Sequence, residues 1–159
     1  MIYIASLGLF PRDFDADAKF LALRPLATEP FTGGEKTRIM AKTVCKILGV
    51  VFLLVGICGF AAPHLLGAHL TPPHNLVHIV SGAIALYFGF AGSLSGAKGF
   101  CLIFGIVYLG LGLLGMVMGD PAMNREWHVG PLIFGMADHG IHLILGAVFL
   151  AGGLFTKKD

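Results

Sequence analysis

Four long apolar segments, separated by short polar loops, constrain this sequence more than any other feature. An α-helix needs roughly 20 apolar residues to cross about 30 Å of hydrocarbon, and the segments approach that length. The chain is 56% hydrophobic and only 13% charged, whereas globular domains are about 25% charged. Because helices satisfy their own backbone groups in lipid, we predict an all-α membrane protein, a four-transmembrane-helix bundle. Its spans are expected at about 47–66, 75–94, 100–118 and 135–155.

Basic residues indicate how the spans are oriented. Lysines and arginines precede the first span, Lys98 follows the second, and Lys157 and Lys158 follow the fourth, whereas the two larger loops hold only Arg125. Lysine and arginine near span ends favour the cytoplasmic side. We therefore expect a multi-pass protein of the cytoplasmic (inner) membrane, in contact with the lipid bilayer. Both termini should be cytoplasmic, and all seven histidines should lie near the outer side.

Residues 1–39 differ in character from the rest of the chain. Their first apolar stretch is too short to span a bilayer and lacks the basic flank of a signal peptide. The sequence that follows it is rich in proline, glycine and aspartate and has no clear periodicity. We interpret residues 1–39 as a weakly structured cytoplasmic arm or, alternatively, as an over-extended start before Met40. The four-helix transmembrane domain then comprises residues 40–159.

The two halves of this domain resemble each other. A run in the first span aligns without gaps on a run in the third, and positions of the second span align on the fourth. Each half is therefore predicted to be a helical hairpin, and two such parallel repeats would be related by a pseudo-twofold axis along the membrane normal. Chance similarity between apolar helices is the alternative. The aligned positions are 49–59 with 105–115, His78 with His142, Gly82 with Gly146, and Gly89 with Gly153.

Glycines recur at helical spacing along the spans. Small residues on one side of a helix let neighbouring backbones approach closely, which stabilises helix contacts in lipid. We therefore expect a compact bundle without a wide pore. The glycines assigned to helix packing are Gly82, Gly89, Gly112, Gly115, Gly119, Gly146 and Gly153.

Two polar motifs begin the second and fourth spans. The first reads H-N-L-V-H-I-V-S-G over residues 74–82, and the second reads D-H-G-I-H-L-I-L-G over residues 138–146. Residues four apart lie nearly above one another on a helix, so each motif places polar side chains along one face. If the hairpins pack around their axis, the two faces would meet in the outer half of the membrane. The predicted polar cluster consists of His74, Asn75, His78, Asp138, His139 and His142.

This polar cluster has several interpretations. Asn75 and Asp138 are suitable helix N-caps, and specific polar pairing could simply set the helix register. A transition-metal site is a second interpretation, with His74, His78, Asp138 and His142 as ligands. Haem bound axially by His78 and His142 is a third, and a proton relay or quinone contact is a fourth.

Other chemistries have little support in the sequence. It contains no G-x-S-x-G or H-E-x-x-H motif, phosphate loop or dinucleotide fingerprint. The three cysteines stand apart without a paired dithiol, and no basic stripe indicates nucleic acid. We therefore favour a non-enzymatic structural or accessory membrane component, whose partners would be other membrane subunits or a second copy. The alternative is a metal-, haem- or quinone-linked redox or sensing protein acting through His78 and His142.

Together the two motifs resemble a family of small four-helix bacterial integral membrane proteins catalogued as a domain of unknown function. The resemblance rests on H-N-x-x-H-x-x-x-G at residues 74–82, D-x-x-x-H-x-x-x-G at residues 138–146, and a similar first span around residues 49–56. It covers about residues 42–155. It implies a four-span fold in the cytoplasmic membrane and no particular activity. His139 departs from the asparagine that such proteins often carry there.

Overall fold

The computed structural model describes residues 33–157, with side chains from Ile39 onwards. Within these residues there are four α-helices: α1 (Gly33–Cys58), α2 (Pro72–Phe90), α3 (Leu94–Met118) and α4 (Met136–Phe155). The predicted arm comprised residues 1–39; residues 1–32 lie outside the described part of the chain, whereas residues 33–39 are helical and belong to α1. The mostly helical fold expected from the sequence is confirmed.

Three of these helices are long and apolar enough to cross a membrane. They are the Ile39–Cys58 part of α1, all of α3 and all of α4. Helix α2 has a similar length, but its first turns carry His74, Asn75 and His78, which lower its mean hydropathy. The expectation of a membrane protein is therefore supported by three spans on length and composition alone.

The helix bounds differ from the predicted spans: α1 ends at Cys58 and not near residue 66, and two helix starts differ for local reasons. α2 begins at Pro72, where proline is favoured because it needs no hydrogen-bonded N–H. α3 begins at Leu94, earlier than the predicted residue 100, because the Ser93 side chain accepts a hydrogen bond from the Gly96 N–H at 3.0 Å and so caps the helix.

The helices pack as two hairpins within one bundle. α1 packs mainly on α2, and α3 packs mainly on α4, while α1 also contacts α3 and α4. The buried centre is aromatic: the ring centroids of Phe52 and Tyr108 lie 5.5 Å apart, and each lies 5.9 Å from that of Phe149. Large apolar side chains such as Ile103 and Val117 point outward. A surface of this kind suits lipid better than water.

Two irregular connections close one end of the bundle. Residues 59–71 include a short 3₁₀ turn at Leu65–Gly67, between α1 and α2. Between α3 and α4, β1 (Trp127–Val129) pairs antiparallel with β2 (Leu132–Phe134). Periodicity did not predict this β-hairpin, because three-residue strands are too short to show an alternating pattern.

Glycines occupy the closest helix contacts. At each of the seven glycines assigned to packing, an added Cβ would come closer than 3.0 Å to a neighbouring atom, although Gly119 lies just after α3 and meets the Arg125 backbone of the loop and not a helix. At Gly146 it would lie 2.6 Å from the backbone nitrogen of Leu109, and at Gly115 it would collide with the His139 ring. In contrast, an added Cβ at Gly110 or Gly140 would meet nothing within 4 Å.

Two cysteines that are distant in the sequence meet in the core. The Sγ atoms of Cys45 on α1 and Cys101 on α3 lie 3.6 Å apart, and both residues are fully buried. The Sγ of Cys45 lies 3.9 Å from the carbonyl oxygen of Ala97, and the Sγ of Cys101 lies 3.7 Å from that of Ala41. Both thiols are free. The two cysteines are isolated in the sequence but are neighbours in the structure.

Candidate functional site: a buried histidine cluster

Three histidines of the two motifs meet inside the bundle. The imidazoles of His74 and His78 stack with centroids 4.6 Å apart, and His142 lies 6.1 Å from His74. Their exposed fractions are 3%, 6% and 4%. We call His74, His78 and His142 the histidine cluster. The first two lie on α2 and the third on α4, so the cluster joins the two hairpins.

Aromatic rings enclose this cluster on two sides. Phe134 of the β-hairpin packs edge-on against His74 and His142, with ring centroids 5.2 Å and 5.1 Å apart, respectively. On the core side, the ring centroid of Phe52 lies 5.3 Å from that of His78, and the ring centroid of Tyr108 lies 5.2 Å from that of His142. The histidine cluster is therefore held in an apolar enclosure.

Asp138 binds the loop before α2 instead of an imidazole of the histidine cluster. Its carboxylate accepts hydrogen bonds from the His69 backbone N–H at 3.1 Å, from His69 Nδ1 at 3.1 Å and from the Gly135 N–H at 2.8 Å. The last of these bonds caps α4. Asp138 therefore ties the loop between α1 and α2 to the start of α4.

The loop also fixes the tautomer of one histidine in the cluster. His74 Nδ1 lies 2.8 Å from the backbone oxygen of His69. Because a carbonyl oxygen only accepts, Nδ1 of His74 carries a hydrogen, and in the neutral ring Nε2 then carries the lone pair. Sequence reasoning did not select His69, because its link to Asp138 spans 69 residues and has no local pattern.

The remaining two residues of the predicted polar cluster point elsewhere. Asn75 packs against Gly59 at the end of α1. His139 packs against Gly115 of α3, and its Nε2 donates to the backbone oxygen of Arg125 at 2.8 Å. Each side chain thus faces the other helix of its own hairpin.

Two cavities flank the histidine cluster. One of about 140 Å³ lies between α1 and α4, and the three histidines, Asp138 and apolar side chains line it. The other, of about 200 Å³, lies between α2 and α3, and His74, His142 and Tyr108 are among its lining residues.

Some polar atoms in this region have no protein partner. Nδ1 of His78 and Nδ1 of His142 are buried and find no hydrogen-bond partner among residues 33–157. Within the same residues, no group of three or more histidine, cysteine, aspartate or glutamate side chains has an arrangement that could hold a metal ion. Nδ1 of the neighbouring His139 is also buried without a partner there, so the geometry combines closely packed imidazoles with three unsatisfied imidazole nitrogens.

Comparison with known proteins identifies the family. No curated protein and no solved structure matches the chain. The family described as Domain of unknown function (DUF4383) matches residues 42–155, the extent expected from the resemblance. Most of the chain, including α2, α3 and α4 in full, falls within this match. The chain therefore belongs to the DUF4383 family.

Proposed function

We propose that this protein is a non-enzymatic component of the bacterial cytoplasmic membrane, built from two parallel hairpins whose packing is fixed by the histidine cluster. The observation that carries this proposal is that His74 on α2, which stacks on His78, lies beside His142 on α4, with aromatic rings around all three. Buried polar groups are costly in an apolar medium. A junction of this kind therefore favours one register of the two hairpins.

The burial pattern of α2 supports four spans. Its histidines and Asn75 are buried, whereas Leu76, Val80 and Tyr87 are exposed. The helix has 19 residues, which corresponds to about 28 Å at 1.5 Å per residue and so matches the hydrocarbon thickness. An apolar exterior around a polar interior is the pattern expected of a spanning helix.

Equivalent contacts in the two hairpins support the parallel repeat. When residue 49 is aligned with 105 and residue 78 with 142, close neighbours of these glycines fall at matching positions. Cys45 and Cys101 are also matching positions, and they meet where a pseudo-twofold axis would pass. The matching contacts are Gly49 on Leu86 with Gly105 on Leu150, Gly82 on Leu53 with Gly146 on Leu109, and Gly89 on Lys46 with Gly153 on Leu102.

Charge and contacts support the orientation with both termini inside. Lys98 Nζ donates to the Thr156 backbone oxygen at 2.8 Å, and the Thr156 hydroxyl accepts from the Ala41 N–H at 2.8 Å. The start of α1, the turn before α3 and the end of α4 therefore lie at one basic end. By the positive-inside preference this end is cytoplasmic, and the histidine cluster lies towards the opposite face.

Stability in mild detergent tests the role of the histidine cluster. We expect His78→Ala with His142→Ala to lower the free energy of unfolding by about 1–3 kcal/mol, while the matched change His128→Ala, in an exposed side chain, leaves it unchanged. Light scattering of the wild-type protein would separate a single chain from a self-assembly, and co-purification would report other subunits. Wild-type stability of the double variant would exclude the structural role.

The unpartnered Nδ1 atoms of His78 and His142 favour one second candidate, a redox or sensing protein with a bound metal, haem or quinone. A small lipid-soluble head group suits the cavity of about 140 Å³ better than haem, because His74 stacks on His78 and contacts His142. Metal analysis, an absorption spectrum and quinone extraction of the purified protein test this candidate. Colourless protein without metal or quinone would remove its support.

A further inference from the structure

We infer that the cavity of about 200 Å³ between α2 and α3 binds the neutral head group of a lipid-soluble quinone or quinol. This inference rests on the second candidate function and makes it specific, because it names one ligand class and assigns it to one of the two cavities. Three polar side chains that line this cavity, Ser81, Tyr108 and His74, would hold the head group.

The two cavities that flank the histidine cluster occupy matching places in the two hairpins. When residue 49 is aligned with 105 and residue 78 with 142, most helical lining residues of one cavity correspond to lining residues of the other. If both were only gaps left by packing, matching positions would carry similar side chains. The corresponding pairs are Val51 with Val107, Val55 with Leu111, Ile141 with Val77, His78 with His142, Phe52 with Tyr108, Leu145 with Ser81, and Asp138 with His74.

Some of these pairs differ, and the differences add hydroxyls to the cavity between α2 and α3. Tyr108 stands where the other cavity has Phe52, and the only chemical difference is the hydroxyl. Ser81 stands where the other cavity has Leu145. Tyr108 is 5% exposed and Ser81 is 7% exposed. Burying a hydroxyl without a partner costs free energy, which an apolar side chain at the same position avoids, so the two hydroxyls indicate a polar ligand.

The polar atoms of this cavity are free to bind a ligand. The hydroxyls of Tyr108 and Ser81 make no hydrogen bond to another residue among residues 39–157, and neither is sealed from a water-sized molecule. Nδ1 of His74 is taken by the His69 oxygen, so Nε2 of the neutral ring is an acceptor. A hydroxyl can donate to a quinone carbonyl, and the Nε2 lone pair can accept from a quinol hydroxyl.

The rest of the lining suits a neutral ring that arrives from the lipid. Among residues 39–157 it includes no lysine, arginine, aspartate or glutamate, so a charged head group would be buried without a counter-ion. Phe104 and Phe134 provide apolar ring surface. A cavity of roughly 150 Å³ holds benzene, so one six-membered ring fits. Val77 and Val107 line the cavity but are 43% and 49% exposed, and an isoprenoid tail would leave between them.

Trp127 provides a readout close to the cavity. It is the only tryptophan of the chain, and its ring centroid lies 6.4 Å from that of Phe134. Quinones quench tryptophan fluorescence at short range. We therefore expect decylubiquinone to quench the fluorescence of the full chain in detergent, with saturation at one molecule per chain.

Removing the two hydroxyls tests the assignment. Tyr108→Phe with Ser81→Ala should weaken decylubiquinone binding ~10-fold, because two hydrogen bonds to the head group are lost. The matched control Tyr87→Phe with Ser95→Ala removes two exposed hydroxyls, and it should bind like the wild type. Both double variants only remove hydroxyls, so they should fold, and circular dichroism checks this directly.

Two results would overturn the inference, and they have different consequences for the second candidate function. Saturable binding with equal affinity in the two double variants would place the quinone elsewhere on the chain and leave that function standing. Quenching that increases with decylubiquinone without saturating would reflect partition into the micelle alone, and it would remove support for quinone binding altogether. Neither result concerns the packing role of the histidine cluster, which the stability of His78→Ala with His142→Ala tests separately.

Discussion

Gly146→Ala should destabilise the bundle by separating α3 from α4. A Cβ on residue 146 would lie 2.6 Å from the backbone nitrogen of Leu109 and 2.7 Å from its Cγ. Non-bonded carbon atoms prefer separations of about 3.5–4.0 Å, so the shortfall is about 1 Å. Side-chain rotation cannot move a backbone nitrogen. The two helices must therefore move apart or distort.

The size of this effect follows from a comparison within α4. Overpacking of a tight contact costs about 1–3 kcal/mol, whereas replacing a helical glycine by alanine gains about 1 kcal/mol of helix propensity. Gly140→Ala makes the same substitution on the same helix, at a position where the added Cβ meets nothing within 4 Å. The propensity gain is shared, so Gly146→Ala should be less stable than Gly140→Ala by about 1–3 kcal/mol.

Reversible unfolding in mixed detergent micelles, followed by circular dichroism, measures this difference. Gly82→Ala adds an internal comparison, since its nearest atoms would lie at 2.9 Å and 3.0 Å. We expect the order of stability Gly140→Ala, then Gly82→Ala, then Gly146→Ala. Equal stability of the Gly140 and Gly146 variants would refute the argument that backbone proximity sets the helix spacing.

Three further outcomes follow from particular contacts. With Cys58 replaced by serine, a membrane-permeant oxidant such as diamide should form a disulfide between Cys45 and Cys101, because their Sγ atoms are 3.6 Å apart. Mass spectrometry would show the loss of two hydrogens within one chain. Intact thiols would contradict this packing. Asp138→Ala should lower the Tm more than Asp138→Asn does, because alanine leaves the His69 and Gly135 donors unpaired. Each unsatisfied donor costs about 1–3 kcal/mol of folding free energy. Equal Tm values of the two variants would contradict this. A maleimide that cannot cross membranes should label His128→Cys in intact cells but Lys98→Cys only after lysis, and the reverse pattern would invert the proposed orientation.

The helical fold was predictable because it follows from the apolar composition of long segments and does not depend on single contacts. Helix ends depended on single side chains, and the Ser93 cap that starts α3 at Leu94 was overlooked in favour of the longer apolar run. The strands Trp127–Val129 and Leu132–Phe134 were missed because their stability comes from pairing with each other and from packing of Phe134 on the histidines. Neither contribution has a periodic signature.

The candidate site was predictable only in part, because sequence spacing reports positions on one helix and not contacts between helices. The i, i+4 pattern correctly put His74 and His78 on one face, where they stack. It could not indicate that Asp138 bonds to His69, or that Cys45 meets Cys101. Those pairs depend on how the two hairpins dock, whereas most of the packing glycines contact the partner helix of their own hairpin.

The proposed repeat also indicates where the two hairpins differ in their buried polar residues. Their packing glycines have matching neighbours, but His74 corresponds to Asp138, and Asn75 corresponds to His139. Nε2 of His139 is bonded to the Arg125 oxygen, but among residues 39–157 neither the buried Nδ1 of His139 nor the buried Asn75 amide has a hydrogen-bond partner. Packing alone would be served equally well by identical residues in both halves. These departures from symmetry therefore lie at the starts of α2 and α4, where each helix follows the loop of its own hairpin.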